Sequence, residues 1–286
     1  MNNSRPVYKR QRFLLDFIRQ INTSVSNADL QKLVFLLIMN SDNDYYDFVP
    51  YQYGPHSFQL AEDINTLANN GFLDVNETSV QAKVKEPNTT SFSIATERGN
   101  ELLRRVYCEY PYYAINNEMI DSFFCDETIQ MFSKEKAKYN LSDQTLFTIG
   151  YEGKSIEAFI NLLIINDVRL ICDDRKNPLS RKFGFSKNKL SHISETIGIK
   201  YLHVPELGIE SEKRKLLKTN NDYDALFSEY ESNISSFLPY LEDIYSMILS
   251  HNRVALLCYE SDAAMCHRHI IRDQLLINYK MESKDI

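Results

Sequence analysis

No stretch of the 286-residue chain approaches the roughly 20 consecutive apolar residues that cross a bilayer, so no membrane partner is expected. The opening "MNNSRPVYKRQRFLLDFIRQ" lacks an apolar core followed by a small-residue cleavage site, so it does not read as a secretory signal. Cysteine is scarce: five residues, odd in number and scattered, make no disulfide framework, and the expectation is a reduced, cytoplasmic protein. Positive charge is not in excess. The 32 Lys and Arg against 39 Asp and Glu leave a net charge of −7, so any contact with nucleic acid needs a local basic patch. Internal repeats and low-complexity tracts are absent as well. What remains is 43% hydrophobic and 25% charged, the balance of a globular chain long enough for two domains.

The two halves differ in periodicity. In residues 1–110, Arg10 to Ile21 places Phe13, Leu14, Phe17, Ile18 and Ile21 on one helical face. Ser26, with Asp29 three residues on, precedes a second helix carrying Leu30, Leu33, Val34, Leu37 and Ile38. A third helix starts near Ser57 and stops at Gly71. "FLDV" and "SFSIA" are strand candidates joined through Pro87 and Asn88, and "ATERGNELLRRV" reads as a helix capped by Thr96. Residues 111–140 read as a helical connector whose aromatics dock on something or leave a homodimer open. From 141 to 286, β-rich runs alternate with helices: "TLFTIGY", "VRLICD", "IKYLHV" and "RVALLCY" are the strands. This order implies a mostly parallel sheet with right-handed crossovers. Asp222 to Ser250 reads as one long helical region bent at Pro239, and "AAMCHRHIIRDQLLINY" as the last helix.

Three helices, a hairpin and a helix form a winged helix–turn–helix pattern, and "FSIATERGNELL" resembles the strand-to-helix junction of winged-helix repressors. "LQKLVFLL" followed by "YDFVPYQYGPHSFQLAEDI" is similar to a domain of antitoxin-like and phage-defence-associated proteins, in which a Tyr-Gly-Pro turn (Tyr53, Gly54, Pro55) joins the second and third helices. The local reading of that turn is structural, since Pro fixes φ and Gly tolerates backbone a side chain would block.

Ligands of open parallel sheets bind beyond the carboxyl ends of the strands. The polar residues of the second half gather there: Gly150 and Tyr151 after the first strand, Asp173, Asp174 and Arg175 after the second, His203 after the third, and Cys258 and Glu260 after the fourth. "TIGYEGKSIEAFINLL", "ICDDRKNPLSRKFGFSKNKL", "IKYLHVPELG" and "VALLCYESDAAMCHRHIIRDQL" together resemble the domain of unknown function family 488. The resemblance covers about residues 145–276 and implies a Rossmann-like α/β fold. It makes Gly150, Tyr151, Asp173, Arg175, Ser180, Arg181, Cys258, Glu260, Cys266, His267 and Arg268 the motif positions. Asp174 stands where that family usually has an apolar residue.

Several chemistries follow from these residues. The loop "RKNPLSRKFGFSKNK" carries Arg175, Arg181, Lys182 and further lysines without an acid, and Phe183 and Phe185 interleave. Cations track phosphates and exposed aromatics stack on bases, so nucleic acid or a nucleotide is the expected partner, with Ser180 and His203 beside it. Glu260, Asp173 and Asp174 are the acid–base candidates for N-glycosidic hydrolysis or transfer. Cys266, read in the first turn of the last helix, is a candidate nucleophile with His267 or Glu260 as base and Arg268 holding an anion. Cys258, Cys266, His267 and His269 lack the close cysteine pair of a structural zinc site, and residues 267 and 269 point to different helix faces, so no metal and no cofactor are expected. The leading expectation is a nucleic-acid-associated hydrolase or transferase in phage defence. Its rivals are a non-enzymatic DNA-binding regulator or antitoxin-like ligand sensor, and a thiol protein of sulfur transfer or redox sensing. Replacing Arg175 or Glu260 is expected to abolish function without unfolding the chain.

Overall fold

The computed structural model describes all residues except 1–5, 85–90, 118, 119, 121, 122, 215, 216 and 218. The chain divides into two compact units, residues 1–138 and 139–286. Among the described residues, no helix is long and apolar enough to cross a membrane.

In the first unit, helix α1 (Lys9–Ile21) buries Phe13, Leu14, Phe17 and Ile18, the face its spacing predicts. The short strand β1 (Val25–Ser26) leads into α2 (Asn27–Met39), where the Ser26 side chain accepts from the Asp29 N–H. A tight hairpin, β2 (Val49–Tyr51) and β3 (Gly54–His56), contains the Tyr-Gly-Pro element. Helix α3 (Phe58–Asn69) is capped by Ser57, and Gly71 beyond it has φ +80°. Strands β4 (Leu73–Val75) and β5 (Ser79–Ala82) form the next hairpin, and β5 also pairs with β1.

Three expectations fail in this unit. The partner of "FLDV" is Ser79–Ala82, not "SFSIA". The turn between them is held by Asn76, whose Oδ1 accepts the Thr78 and Ser79 N–H groups. "SFSIA" has no strand partner among the described residues, and a side chain takes the place of a ladder: Gln20 donates to the Phe92 carbonyl (2.6 Å) and accepts its N–H (2.7 Å). The Phe92 ring meanwhile packs edge-on against Phe13 and Phe17. Pro87 and Asn88 lie outside the described residues. The following helix, α4 (Gly99–Glu109), begins after Arg98 rather than at Thr96, and the Asp29 carboxylate receives the Gly99 N–H. Helix α5 (Asp126–Ala137), within the expected connector, belongs to this unit. Its Phe132 and the preceding Phe124 pack on Tyr107, so these connector aromatics are spent inside the fold.

Lys32, on α2, is only 4% exposed, and its ammonium donates to the Ala28 carbonyl. Burial lowers its pKa to about 8, partly offset by Asp29. Between pH 8 and 10 the unfolded chain then holds a proton the folded chain has released. Stability contributed by this group therefore rises with pH across that window, by up to about 3 kcal/mol. Lys32→Met is expected to raise the urea midpoint at pH 7 and to abolish the rise between pH 8 and 10. A variant that keeps the wild-type pH profile would contradict the assignment.

The second unit holds a five-stranded, all-parallel sheet in the order β10-β6-β9-β7-β8. Its strands are β6 (Thr145–Gly150), β7 (Leu170–Asp173), β8 (Lys200–His203), β9 (Arg253–Cys258) and β10 (Glu282–Asp285). Every residue of β6, β7 and β9 is buried, as strands covered on both faces require. Leu146, Leu170, Cys172, Val254 and Leu256 share one cluster with α9 (Asn220–Ser232), α10 (Leu238–His251) and α11 (Arg268–Asn278). Phe147, Ile149, Ile171, Ala255 and Leu257 alternate with them and are equally buried, as are the apolar sides of α6 (Ile156–Ile165) and α7 (Lys187–Thr196). The long helical region breaks at a 3-10 turn, Ile234–Phe237, and Pro239 sits in the first turn of α10, where it costs no hydrogen bond. The edge strand β10 was not anticipated, and its four residues are exposed.

Candidate functional site

The carboxyl ends of β6, β9, β7 and β8 lie level: Gly150 is opposite Cys258, and Asp173 is opposite both Leu257 and His203. Beyond β6, β9 and β7 opens a cavity of ≈ 380 Å³. Of the expected residues it gathers Tyr151, Arg175, Ser180, Arg181, Glu260 and His267, together with Cys258, Tyr259 and Lys176. A wider hollow of ≈ 480 Å³ lies against α7 and β8, but half of its wall is exposed surface side chains such as Lys187 and Asn188. His203 lines that second hollow, with Lys187 on Nδ1 (3.1 Å) and the Arg175 carbonyl on Nε2 (2.8 Å).

Two glycines bring the strand ends together. A Cβ on Gly150 would stand 1.7 Å from the Glu260 carbonyl oxygen, and one on Gly208 would stand 2.1 Å from the Lys176 N. Arg268 fixes the first approach from the other side. Its guanidinium donates to the Glu260 carbonyl (2.6 Å), the Ser261 carbonyl (3.0 Å) and Thr148 Oγ1 (3.3 Å). At 1% exposure Arg268 is a structural clamp rather than an anion holder, which corrects the role expected for it.

Asp173 is tied up in the same way. Arg175 holds it through Nε (2.7 Å) and Nη2 (2.5 Å), and the Tyr201 hydroxyl donates to Oδ2 (2.5 Å). Arg175 also donates to the Phe185 carbonyl (2.8 Å) and the Tyr151 hydroxyl (3.2 Å). The Tyr151 ring stacks on Phe185 at 4.3 Å. Phe185 is wholly buried, so it cannot stack on a base, and Phe183 lies half-buried under Lys189. Lys182 points its ammonium at the Tyr151 carbonyl (3.0 Å). Arg181 is exposed and forms no ion pair among the described residues, which leaves it open to an anion.

A second constellation lies at the end of β9. Glu260 pairs with Arg214, the last residue of the short helix α8 (Ser211–Arg214). Arg214 Nη2 donates to His267 Nδ1 (2.7 Å) and approaches Cys258 Sγ (3.9 Å). The Cys258 thiol donates to Glu260 Oε2 (3.3 Å). His267 Nε2 lies 3.6 Å from Asp174 Oδ1, and among the described residues neither atom, nor Asp174 Oδ2, has a hydrogen-bond partner although all are buried. Burial, then the neighbouring Cys258 and Asp173, pushes the Asp174 carboxyl well above its usual range. Burial and then Arg214 lower the His267 pKa to about 3. Cys258 is raised well above an ordinary thiol by its hydrogen bond to Cys266 and by burial.

Arg214 had not been singled out, because its partners lie 46 and 53 residues away and no local spacing marks it. Cys266 and His267 also sit differently from the expectation. Asp262 caps only a 3-10 turn (Ala263–Met265), Cys266 is extended, and α11 begins at Arg268. Cys266 is therefore outside the helical first turn and fully buried, so the helix terminus does not activate it toward solvent.

Residues 155–275 match the family described as Domain of unknown function DUF488. No curated protein and no solved structure matches the chain. The matched span runs from the residue that caps α6 to the body of α11 and takes in Asp173–Arg175, Ser180–Arg181, Glu260 and Cys266–Arg268. The match to DUF488 lies wholly within the α/β unit.

Proposed function

We propose that the α/β unit binds a nucleotide, free or within a nucleic acid, in the strand-end cavity and hydrolyses its N-glycosidic bond, with Glu260 as the working carboxylate. The observation that carries this reading is the meeting of Arg181, Lys176 and Arg214 with the rings of Tyr151 and Tyr259 around Glu260 in one cavity. Guanidinium and ammonium groups suit a phosphate, and the half-exposed Tyr259 offers a face to a base. The cavity size falls in the range of small-molecule sites. In the reaction, Glu260 takes a proton from water as its oxygen bonds the anomeric carbon. The base leaves with the electron pair of the broken C–N bond and is protonated by solvent. The first unit, read as a winged-helix module, would hold the nucleic acid or a partner protein, and the phage-defence setting rests on its likeness to antitoxin-like domains.

A second reading, ligand sensing without catalysis, is favoured by one observation. Asp173 is bound by Arg175 and Tyr201, and Asp174 is sealed behind His267, so Glu260 is the one expected carboxylate that reaches the cavity. Glycoside hydrolysis usually uses two. Nucleosides, nucleotides and modified oligonucleotides incubated with wild type and Glu260→Gln separate the two. Hydrolysis predicts a released base by mass spectrometry and a loss of at least about 100-fold in the variant. Saturable binding without product supports sensing, and neither binding nor product rejects both. The thiol reading loses ground because Cys258 and Cys266 are 2% and 0% exposed.

A further inference from the structure

We propose that Cys258, Cys266 and His267 form a binding site for a single Zn²⁺-class metal ion, ligated by the two thiolates and by His267 Nδ1. Their ligand atoms all lie within 4.8 Å of one another. The two sulfur-to-nitrogen separations are 3.9 Å from Cys258 and 3.7 Å from Cys266. Zinc bonded at about 2.3 Å to sulfur and about 2.0 Å to imidazole, with tetrahedral angles, sets such separations near 3.6 Å.

The histidine is oriented for this role. Arg214 donates to Nδ1, so Nδ1 carries the lone pair and the ring hydrogen is on Nε2. Nε2 faces Asp174 Oδ1 at 3.6 Å, just beyond hydrogen-bonding reach, and both atoms are buried without a hydrogen-bond partner among the described residues. A carboxylate behind the distal nitrogen of a metal-bound imidazole is the recurrent supporting contact of such sites. It also gives a reason for the acid at position 174, which a purely apolar core would not hold. His269 is excluded from the ligand set, since its Nδ1–H donates to the Cys266 carbonyl (2.6 Å) and its ring packs on Phe227.

A cation already approaches this cluster, because Arg214 Nη2 touches His267 Nδ1 and lies near Cys258 Sγ. One lone pair cannot serve both the guanidinium and a metal, so metal binding shifts Arg214 onto Glu260 alone. Binding converts two neutral thiols to thiolates, releases two protons to solvent, and balances the divalent charge. Cys258 and His267 also line the cavity, which gives an ion a route to the cluster. This inference does not rest on the nucleotide reading, and its test needs no substrate.

The full-length protein, produced with added zinc and desalted, is expected to hold about one equivalent by elemental analysis. The Co²⁺-loaded protein should show thiolate-to-cobalt charge transfer. Cys258→Ser, Cys266→Ser and His267→Ala should each lower the metal content at least about tenfold, and Asp174→Asn should weaken affinity about 10- to 100-fold. Arg214→Ala and the exposed Cys108→Ser should keep the full equivalent. If the ligand variants do not fold, X-ray absorption of the wild type decides: two sulfurs and a nitrogen support the site. No bound metal after supplementation, a metal with no sulfur ligand, or a Cys258–Cys266 disulfide in the fresh protein overturns it.

Discussion

Arg175→Ala is expected to unfold the α/β unit at moderate temperature rather than merely silence its site. Arg175 is 6% exposed and Asp173 is 0% exposed, so the pair is sealed inside the sheet edge. Removing the guanidinium leaves a buried carboxylate with only the Tyr201 hydroxyl and the Arg175 backbone N–H to satisfy it. Breaking one side of such a pair costs about 3–5 kcal/mol, a large share of the total for a domain of this size. The melting temperature should fall by roughly 10 °C. The double variant Arg175→Met, Asp173→Asn removes both charges and should recover much of the loss, whereas either single variant should not. A single Arg175→Ala within about 1 kcal/mol of wild type in urea would show that water reaches Asp173. The expectation that Arg175 could be replaced without unfolding the chain is thus revised, because the residue supports the loop it was expected to serve from.

Gly150→Ala carries the second large effect, for a different reason. The backbone at Gly150 is ordinary, so conformational freedom is not what the position demands. The demand is space: an added Cβ would meet the Glu260 carbonyl oxygen at 1.7 Å and its carbon at 2.4 Å, both backbone atoms held by Arg268. Nothing flexible can yield, so the ends of β6 and β9 must part. A cost of about 3 kcal/mol or more is expected, at the upper end for overpacking. Glu260 moves with its carbonyl, so a Glu260-dependent activity should fall with stability. Gly153 gives the contrast. Its φ is +76° with nothing near a Cβ, and Gly153→Ala should cost only about 1–2 kcal/mol. Urea unfolding of the two variants side by side measures the difference. Equal and small losses would mean the strand ends are looser than this packing.

Much of the architecture is legible in local pattern. "TLFTIG", "LICD" and "RVALLC" are continuous apolar runs because their strands are covered on both faces, and each forms where it reads. Helix starts at Ser26 and Ser57 read correctly from their polar residue ahead of an apolar period. Elements held by backbone pairing alone are not legible. Glu282–Asp285 carries no apolar residue, and it is a strand because β6 offers a free edge and Arg272 and Thr148 receive Asp285. "SFSIA" errs the other way, with a strand's composition and no ladder, because Gln20 satisfies its backbone from 72 residues away.

By itself, the sequence determined the alternation that makes a parallel sheet and the placing of polar residues at its strand ends. It also carried the motif set of the DUF488 domain. These are properties of period and order, which neighbours along the chain encode. Only the tertiary structure decided what each polar residue does there. Asp173, Arg175 and Arg268 became supports because burial forces charges into pairs. Arg214 entered the site from a segment with no distinguishing pattern. Cys258, Cys266 and His267 met because a 3-10 turn, not a helix, follows Asp262 and turns one sulfur back toward the other. Such convergence depends on distances across the fold, which spacing along the chain does not record.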